Sequence, residues 1–228
     1  MNSLPVLYED NHLVIVNKSA GEIVQGDSTG DVPLLEKVRQ YLKEKYHKQG
    51  AVFCGLVHRL DRPVSGAVIF AKTSKALSRM NDLIREHGMT KIYHAIVEND
   101  LPQEKGTLVD YMKKNENQNK SYLSPVPKEG YKRAELYYET AGHSRNYTLV
   151  EIRLVTGRHH QIRAQLSHAG APIKGDLKYG ARRSNPDGSI ALHACKIVFE
   201  HPVSHQQVLI EHVPAPEAFE KIWKESIS

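Results

Sequence analysis

The sequence predicts an α+β protein: a mixed, mostly antiparallel central sheet with flanking helices and loops. Three observations lead there. Segments of strand character come in runs instead of alternating with helices. Helical periodicity is confined to a few short stretches. Neither GxGxxG nor GxxxxGK[ST] occurs, so the glycine-rich turns of nucleotide-binding doubly wound sheets are missing. No internal repeat or linker breaks the chain, and its 228 residues suit a single domain over 1–228.

Taken in order, "HLVIVNK" (residues 12–18) reads as a short strand entered from the turn-like Asp10-Asn11. "VPLLEKVRQYLKEKYH" reads as a helix, with Pro33 suited to its first turn and Leu34, Leu35, Val38, Leu42 and Tyr46 on one face. Strands are expected near 52–57 and 66–71. "SKALSRMNDLIREHG" is the clearest helix, with Ser74 as expected N-cap, Leu77, Met80 and Ile84 on one face, and Gly88 ending it. "TKIYHAIVEN" alternates as a strand does, with Tyr93, Ala95 and Val97 on one side and Ile92, His94 and Ile96 on the other.

Residues 101–130 are polar, basic and broken by Pro125, Pro127 and Gly130, which suggests a surface excursion or ribbon. Strands are expected to return near 132–139 and 146–155. A short helix follows in "HHQIRAQLSHAG", with Ile162, Leu166 and Ala169 as its apolar stripe and Gly170 closing it. "GDLKYG" reads as a turn-rich loop, residues near 190–199 and 206–211 as strands, and "APEAFEKIWKES" as a final helix.

Composition narrows the function classes. Hydrophobic residues make up 40% and charged residues 25%, as in a globular domain with its own core. Cys54 and Cys195 lie in apolar, strand-like sequence and form no CxxC pair, which points to buried reduced thiols and not to a disulfide framework or zinc ribbon. The N-terminal stretch lacks a cationic region followed by a long apolar run, and no apolar stretch is long enough to cross a membrane, so a cytoplasmic location is expected. The net charge of +5 permits a polyanionic partner without requiring one. The chain holds 13 histidines, yet no HExxH or comparable ligand spacing organises them, so no metal is expected.

Two constellations could carry chemistry. In "VHRLDRPVSGAVIFAKT", Asp61 sits between Arg59 and Arg62, after His58 and before a Pro63-Ser65-Gly66 turn. Nearby positive charge favours an ionised carboxylate, which can act as nucleophile or base. The same aspartate could equally organise its own turn by accepting backbone N–H bonds. In "TGRHHQIRAQLSHAG", a helix starting near Arg158 would put His159 and Arg163 on one face, with Ile162 and Leu166 turned to the core. An arginine beside that stripe is partly buried and needs a carboxylate or phosphate, for which Asp61 is a candidate, or it is a solvated arginine with a buried stem. Tyr93 reads as a core aromatic, or as a stacking platform whose phenol can exchange a proton. Lys18, at the end of a strand, is by default solvated.

Together and in this order, four segments resemble one family, the pseudouridine synthases that modify uridines in ribosomal and transfer RNA. They are "VNKSAG", "HRLDRPVSG", "KIYHAIV" and "GRHHQIRAQLSHAGAPIKGDLKYG", and the pairing of HRLD with GRHHQIR is the specific part. The resemblance implies that fold and an isomerisation of uridine in structured RNA, without cofactor. It implies Asp61 as the catalytic aspartate, Tyr93 as the aromatic that stacks on the target base and takes the carbon-5 proton, and Arg163 as the basic partner of the aspartate. Arg59 is expected near the displaced base, Ile162 as an apolar pocket neighbour, and His58 and Arg62 as further substrate-binding residues. Ser19 stands where the family usually has proline. Only fifteen residues precede "VNK", so the resemblance covers the catalytic domain alone, with a monomer as the expected state. Lys105, Lys113, Lys114, Lys120, Lys128, Lys132 and Arg133 are the residues of the excursion that could track phosphates. The same scaffold without catalysis would be an RNA-binding protein.

Overall fold

The computed structural model describes residues 4–26, 30–211 and 213–226; the first three residues of the N-terminal stretch read above lie outside them. Its elements fall into two units, Met1–Met89 with Cys195–Pro214, and Thr90–Ala194 with Ala215–Ser228. The strand β10 (Leu192–Glu200) begins in the second and ends in the first.

In the first unit, β1 (Val6–Glu9) pairs antiparallel with β2 (Leu13–Lys18), and β2 with β4 (Ser65–Ala71). The short β3 (Gly55–Leu56) also pairs with β4, and β11 (Gln207–Ile210) pairs antiparallel with β10. All seven residues of β4 are buried, which explains its unbroken apolar run in place of alternation. On one face Leu13, Ile15, Ala67, Ile69 and Ala71 pack with Ala76 and Met80 of α2 (Ser74–Arg85) and with Ile197 and Phe199 of β10. The helix α1 (Leu34–Lys45) follows Pro33 and buries Leu34, Val38 and Leu42 at helical spacing. Its last turn is tied to β1 through Glu9, whose carboxylate accepts from Tyr41, Lys45, Tyr46 and Lys72. Burial works to raise the Glu9 carboxyl, but those four hydrogen bonds prevail and bring it down to about 2.

The caps of α2 differ from expectation by one residue at each end. Thr73, not Ser74, is the N-cap, its hydroxyl accepting the Ala76 N–H at 3.1 Å. At the other end His87 takes the left-handed conformation (φ 58°), and the Gly88 N–H closes on the Leu83 carbonyl.

In the second unit the antiparallel order is β5–β9–β8–β6–β7. The strands are β5 (Met89–Val97), β6 (Lys105–Asn115), β7 (Lys120–Ser124), β8 (Lys132–His143) and β9 (Thr148–Leu154). The expected ribbon is thus the hairpin of β6 and β7, with β6 laid along β8. The helix α4 (Glu217–Ser226) stacks Trp223 on His94 of β5, ring centroids 3.9 Å apart. The helix α3 (Gln161–His168) meets β6 and β7, its Ala164 packing with Ala134 and Met112.

The helix α3 starts later than expected. His160 is left-handed (φ 54°) and serves as its N-cap, so His159 precedes the helix and does not share a helical face with Arg163. The burial is also broader than a stripe, since Gln161 through Leu166 are all buried. Gly170 (φ 87°) closes the helix as expected, with the Ala171 N–H returning to the Leu166 carbonyl.

Candidate active site

In the first unit the candidate residues lie on the loop from β3 to β4. The β2–β4 register sets Lys18 opposite Gly66, where that loop returns to the sheet. Gly66 has φ 121°, a conformation open to glycine at little cost. Lys18 is not solvated: it has no exposed surface, and its Nζ donates to the carbonyls of Val64 (2.6 Å), Ser19 (2.9 Å) and Arg62 (3.1 Å). The Gly21 N–H adds a second bond to the Arg62 carbonyl, and the Val64 N–H closes the turn on the Asp61 carbonyl. One ammonium therefore clamps the bend on either side of Pro63. Burial pushes Lys18 down to about 8, against the pull of Glu22 and Asp61, while Arg62 pushes the same way as burial.

Asp61 itself is half-buried, and Arg59 is exposed. Asp61 is one of the two carboxylates whose charge acts on the buried Lys18 ammonium, a lysine that the sequence reads as solvated. Arg62 turns to Asp31 in an exposed ion pair of 2.6 Å. The Nε2 of His58 accepts the Ile69 N–H at 3.3 Å, which ties the start of the loop to β4. Cys54, upstream of the loop, is a buried thiol pushed up to about 12 by desolvation, and it and Cys195 are both unbridged, as expected.

In the second unit Tyr93 is buried on β5 opposite Ile152, on the same strand face as Lys91 and Ala95. Arg163 is buried in α3 and makes a bidentate pair with Asp176, Nε to Oδ2 at 2.7 Å and Nη2 to Oδ1 at 2.9 Å. Asp176 is 1% exposed, so a guanidinium and a carboxylate are withdrawn from water together. Tyr179 completes this holder. The Arg163 Cζ lies 5.1 Å from its ring centre, and its hydroxyl takes the Ser121 N–H at 2.8 Å and meets His160 Nδ1 at 3.0 Å. Ile162 is buried beside Arg163.

The turn into α3 is fixed by Gln161. Its Oε1 accepts the Arg158 N–H and the Thr156 hydroxyl, and its Nε2 donates to the Glu135 carbonyl. Asp176 and Tyr179 were missed as functional candidates because "GDLKYG" reads as a turn. The available signal was a lone acidic residue soon after an arginine that required one. Of the basic residues in the hairpin region, Lys114 pairs with Glu116, Arg133 with Glu135, and Lys120 lies over the Tyr179 ring.

A family model for RNA pseudouridylate synthases matches residues 12–168, a span that contains Lys18, Asp61, Tyr93 and Arg163. The chain is 35% identical over 214 residues to ribosomal large subunit pseudouridine synthase C of Salmonella typhimurium, covering 90% of this chain and 65% of that protein. It is 30% identical over 228 residues to ribosomal large subunit pseudouridine synthase D of Vibrio parahaemolyticus, covering 94% of this chain and 68% of that one. The chain thus spans about two thirds of the length of these relatives. Among solved structures, human RNA pseudouridylate synthase domain containing 4 shares the fold, with TM-score 0.80 over 97% of this chain and 92% of that one at 20% identity. The chain belongs to the RNA pseudouridylate synthase family, and its α+β fold is that of the family's solved members.

Proposed function

We propose that the chain isomerises uridine to pseudouridine in structured RNA, residues 1–228 being a single catalytic domain. The observation that carries this reading is the clamped Asp61 loop, a carboxylate on a bend fixed by the buried Lys18 ammonium, within the matched family region. A mobile aspartate would have to be ordered at each turnover, whereas this one is positioned before substrate arrives.

The reaction breaks the bond between ribose C1′ and uracil N1, turns the base, and forms a bond from C1′ to C5. The C5 proton leaves and N1 gains one, so the net composition is unchanged and no cofactor is called for. Asp61 acts at the ribose–uracil junction as nucleophile or base. Tyr93 stacks on the flipped base, which offsets part of the unstacking cost, and takes the C5 proton. Arg163, held by Asp176, is the basic catalytic residue. Arg59 contacts the displaced base or its vacated place, Ile162 lines the pocket, and His58 and Arg62 complete the substrate-binding set. The relatives' names support large-subunit ribosomal RNA as the substrate class, and transfer RNA is the alternative that the motif resemblance leaves open. No helix among the described residues is long and apolar enough to cross a membrane. By the family resemblance we place the activity in the cytoplasm, in a monomer.

The test uses large-subunit ribosomal RNA transcribed with tritium at uracil C5. The wild type is expected to release tritium to water, with EDTA making no difference, and Asp61→Asn to bind the RNA without release. Release by Asp61→Asn equal to wild type would sink the mechanism. Binding without release by the wild type would leave an RNA-binding protein.

A further inference from the structure

Lys91 is a half-buried lysine in β5. Among the described residues no hydrogen bond, ion pair or aromatic ring engages its ammonium, and burial alone pushes its pKa below the usual lysine range. The other buried or partly buried lysines are engaged: Lys18 by three carbonyls, Lys72 by Glu9, Lys114 by Glu116, Lys120 by the Tyr179 ring, Lys174 by the Asn185 side chain and Lys196 by Glu211. A desolvated ammonium with no partner is costly, and a fold that keeps one gains from it in another state of the molecule.

Its position says which state. Lys91 and Tyr93 are two residues apart on one strand face, a separation of about 6.6 Å along the strand. The Lys91 Nζ lies beside Gly157, 3.6 Å from where a side chain would begin at that residue. Gly157 has no side chain to cover the ammonium at the turn that leads into α3. Arg158, next in sequence, is exposed and bonds the Arg133 carbonyl through Nε, so it adds positive charge without taking up the ammonium. An ammonium has three donors and no acceptor, and the ligand that offsets its desolvation is an anion.

We propose that Lys91 is a substrate-binding residue that takes up a backbone phosphate of the RNA, next to the nucleotide whose base stacks on Tyr93. This rests on the proposed function for the place of the base, but the anion site stands on Lys91 and Gly157 alone. The bound phosphate supplies the partner that the free protein withholds, so part of the cost of burying the charge in the apo state is returned as affinity.

The experiment measures binding of a large-subunit ribosomal RNA transcript by wild type, Lys91→Met, Lys91→Gln and Lys91→Arg over a series of KCl concentrations, together with each protein's thermal midpoint. The neutral variants are expected to melt at or above the wild-type temperature and to bind several-fold more weakly at low salt. Their plot of log K against log[KCl] should be shallower by about 0.7–0.9, the loss of one phosphate contact. Lys91→Arg should keep the wild-type slope. An unchanged slope in both neutral variants would overturn the proposal. So would a lower melting temperature in both, which would mean that the ammonium has its partner within the protein. The slope is read from binding, so it decides the Lys91 proposal even if the wild type releases no tritium.

Discussion

Lys18 and Lys91 are the same residue type under the same pressure, and the molecule treats them in opposite ways. Both lose water, and in both burial lowers the pKa. Lys18 is answered by three carbonyls of the loop it organises, whereas Lys91 is answered by nothing among the described residues. A buried cation is therefore not by itself a mark of function. What separates the two is where the compensating acceptors lie. Acceptors within the chain make a structural clamp, and missing acceptors leave a place for a ligand.

The largest effect expected from this contrast is on the clamp. Lys18→Met removes the donor from the Val64 and Ser19 carbonyls, while the Arg62 carbonyl keeps the Gly21 N–H. The Val64 bond is the buried one, and a buried acceptor left without a donor costs about 1–3 kcal/mol, so urea denaturation should show a loss of about that size. A variant as stable as wild type would break the comparison.

The pH dependence sharpens it. Lys18 has a folded pKa of about 8, below the about 10.4 of an unfolded lysine, so between these values the unfolded chain holds a proton that the folded one lacks. Stability from this group therefore rises with pH across that window. The cost of burying the charged form is full below pH about 8 and falls away toward pH about 10.4. Measured against Lys18→Met, the wild type should gain about 2 kcal/mol between pH 7.5 and 9.5, and a constant difference would contradict the assignment.

A smaller and opposite effect is expected at Lys91, where Met removes an unanswered charge. The apo protein should be more stable by about 0.5–1 kcal/mol, read from the same urea curves. The smallest belongs to Arg62, whose ion pair with Asp31 is exposed on both sides. Arg62→Ala should change stability by less than about 0.5 kcal/mol, and a larger loss would give the pair a part in the clamp.

Which parts of this were legible in the sequence follows from what each signal measures. β4 and β5 were legible because burial on one or both faces leaves an apolar pattern. β6 and β7 were not seen as separate strands, because they are held by backbone pairing while many of their side chains stay exposed. The start of α3 was misplaced because a left-handed histidine carries no distinct sequence signal. Asp61, Tyr93 and Arg163 were legible as candidates through motif order. Lys18 was not, since only the strand register that sets it opposite Gly66 reveals its burial. Asp176 is hidden in a turn: the sequence leaves Arg163 either in need of a carboxylate or phosphate, with Asp61 as a candidate, or solvated with a buried stem, and the structure pairs it with Asp176.

The central claim is that this chain rearranges uridine through Asp61. The most direct measurement is to digest large-subunit ribosomal RNA to nucleosides after incubation with wild type or Asp61→Asn and to separate the products by chromatography with mass detection. The account predicts pseudouridine of uridine's mass from the wild type, matched by an equal loss of uridine, and uridine alone from the variant at equal RNA binding. Pseudouridine formed equally by Asp61→Asn would contradict it.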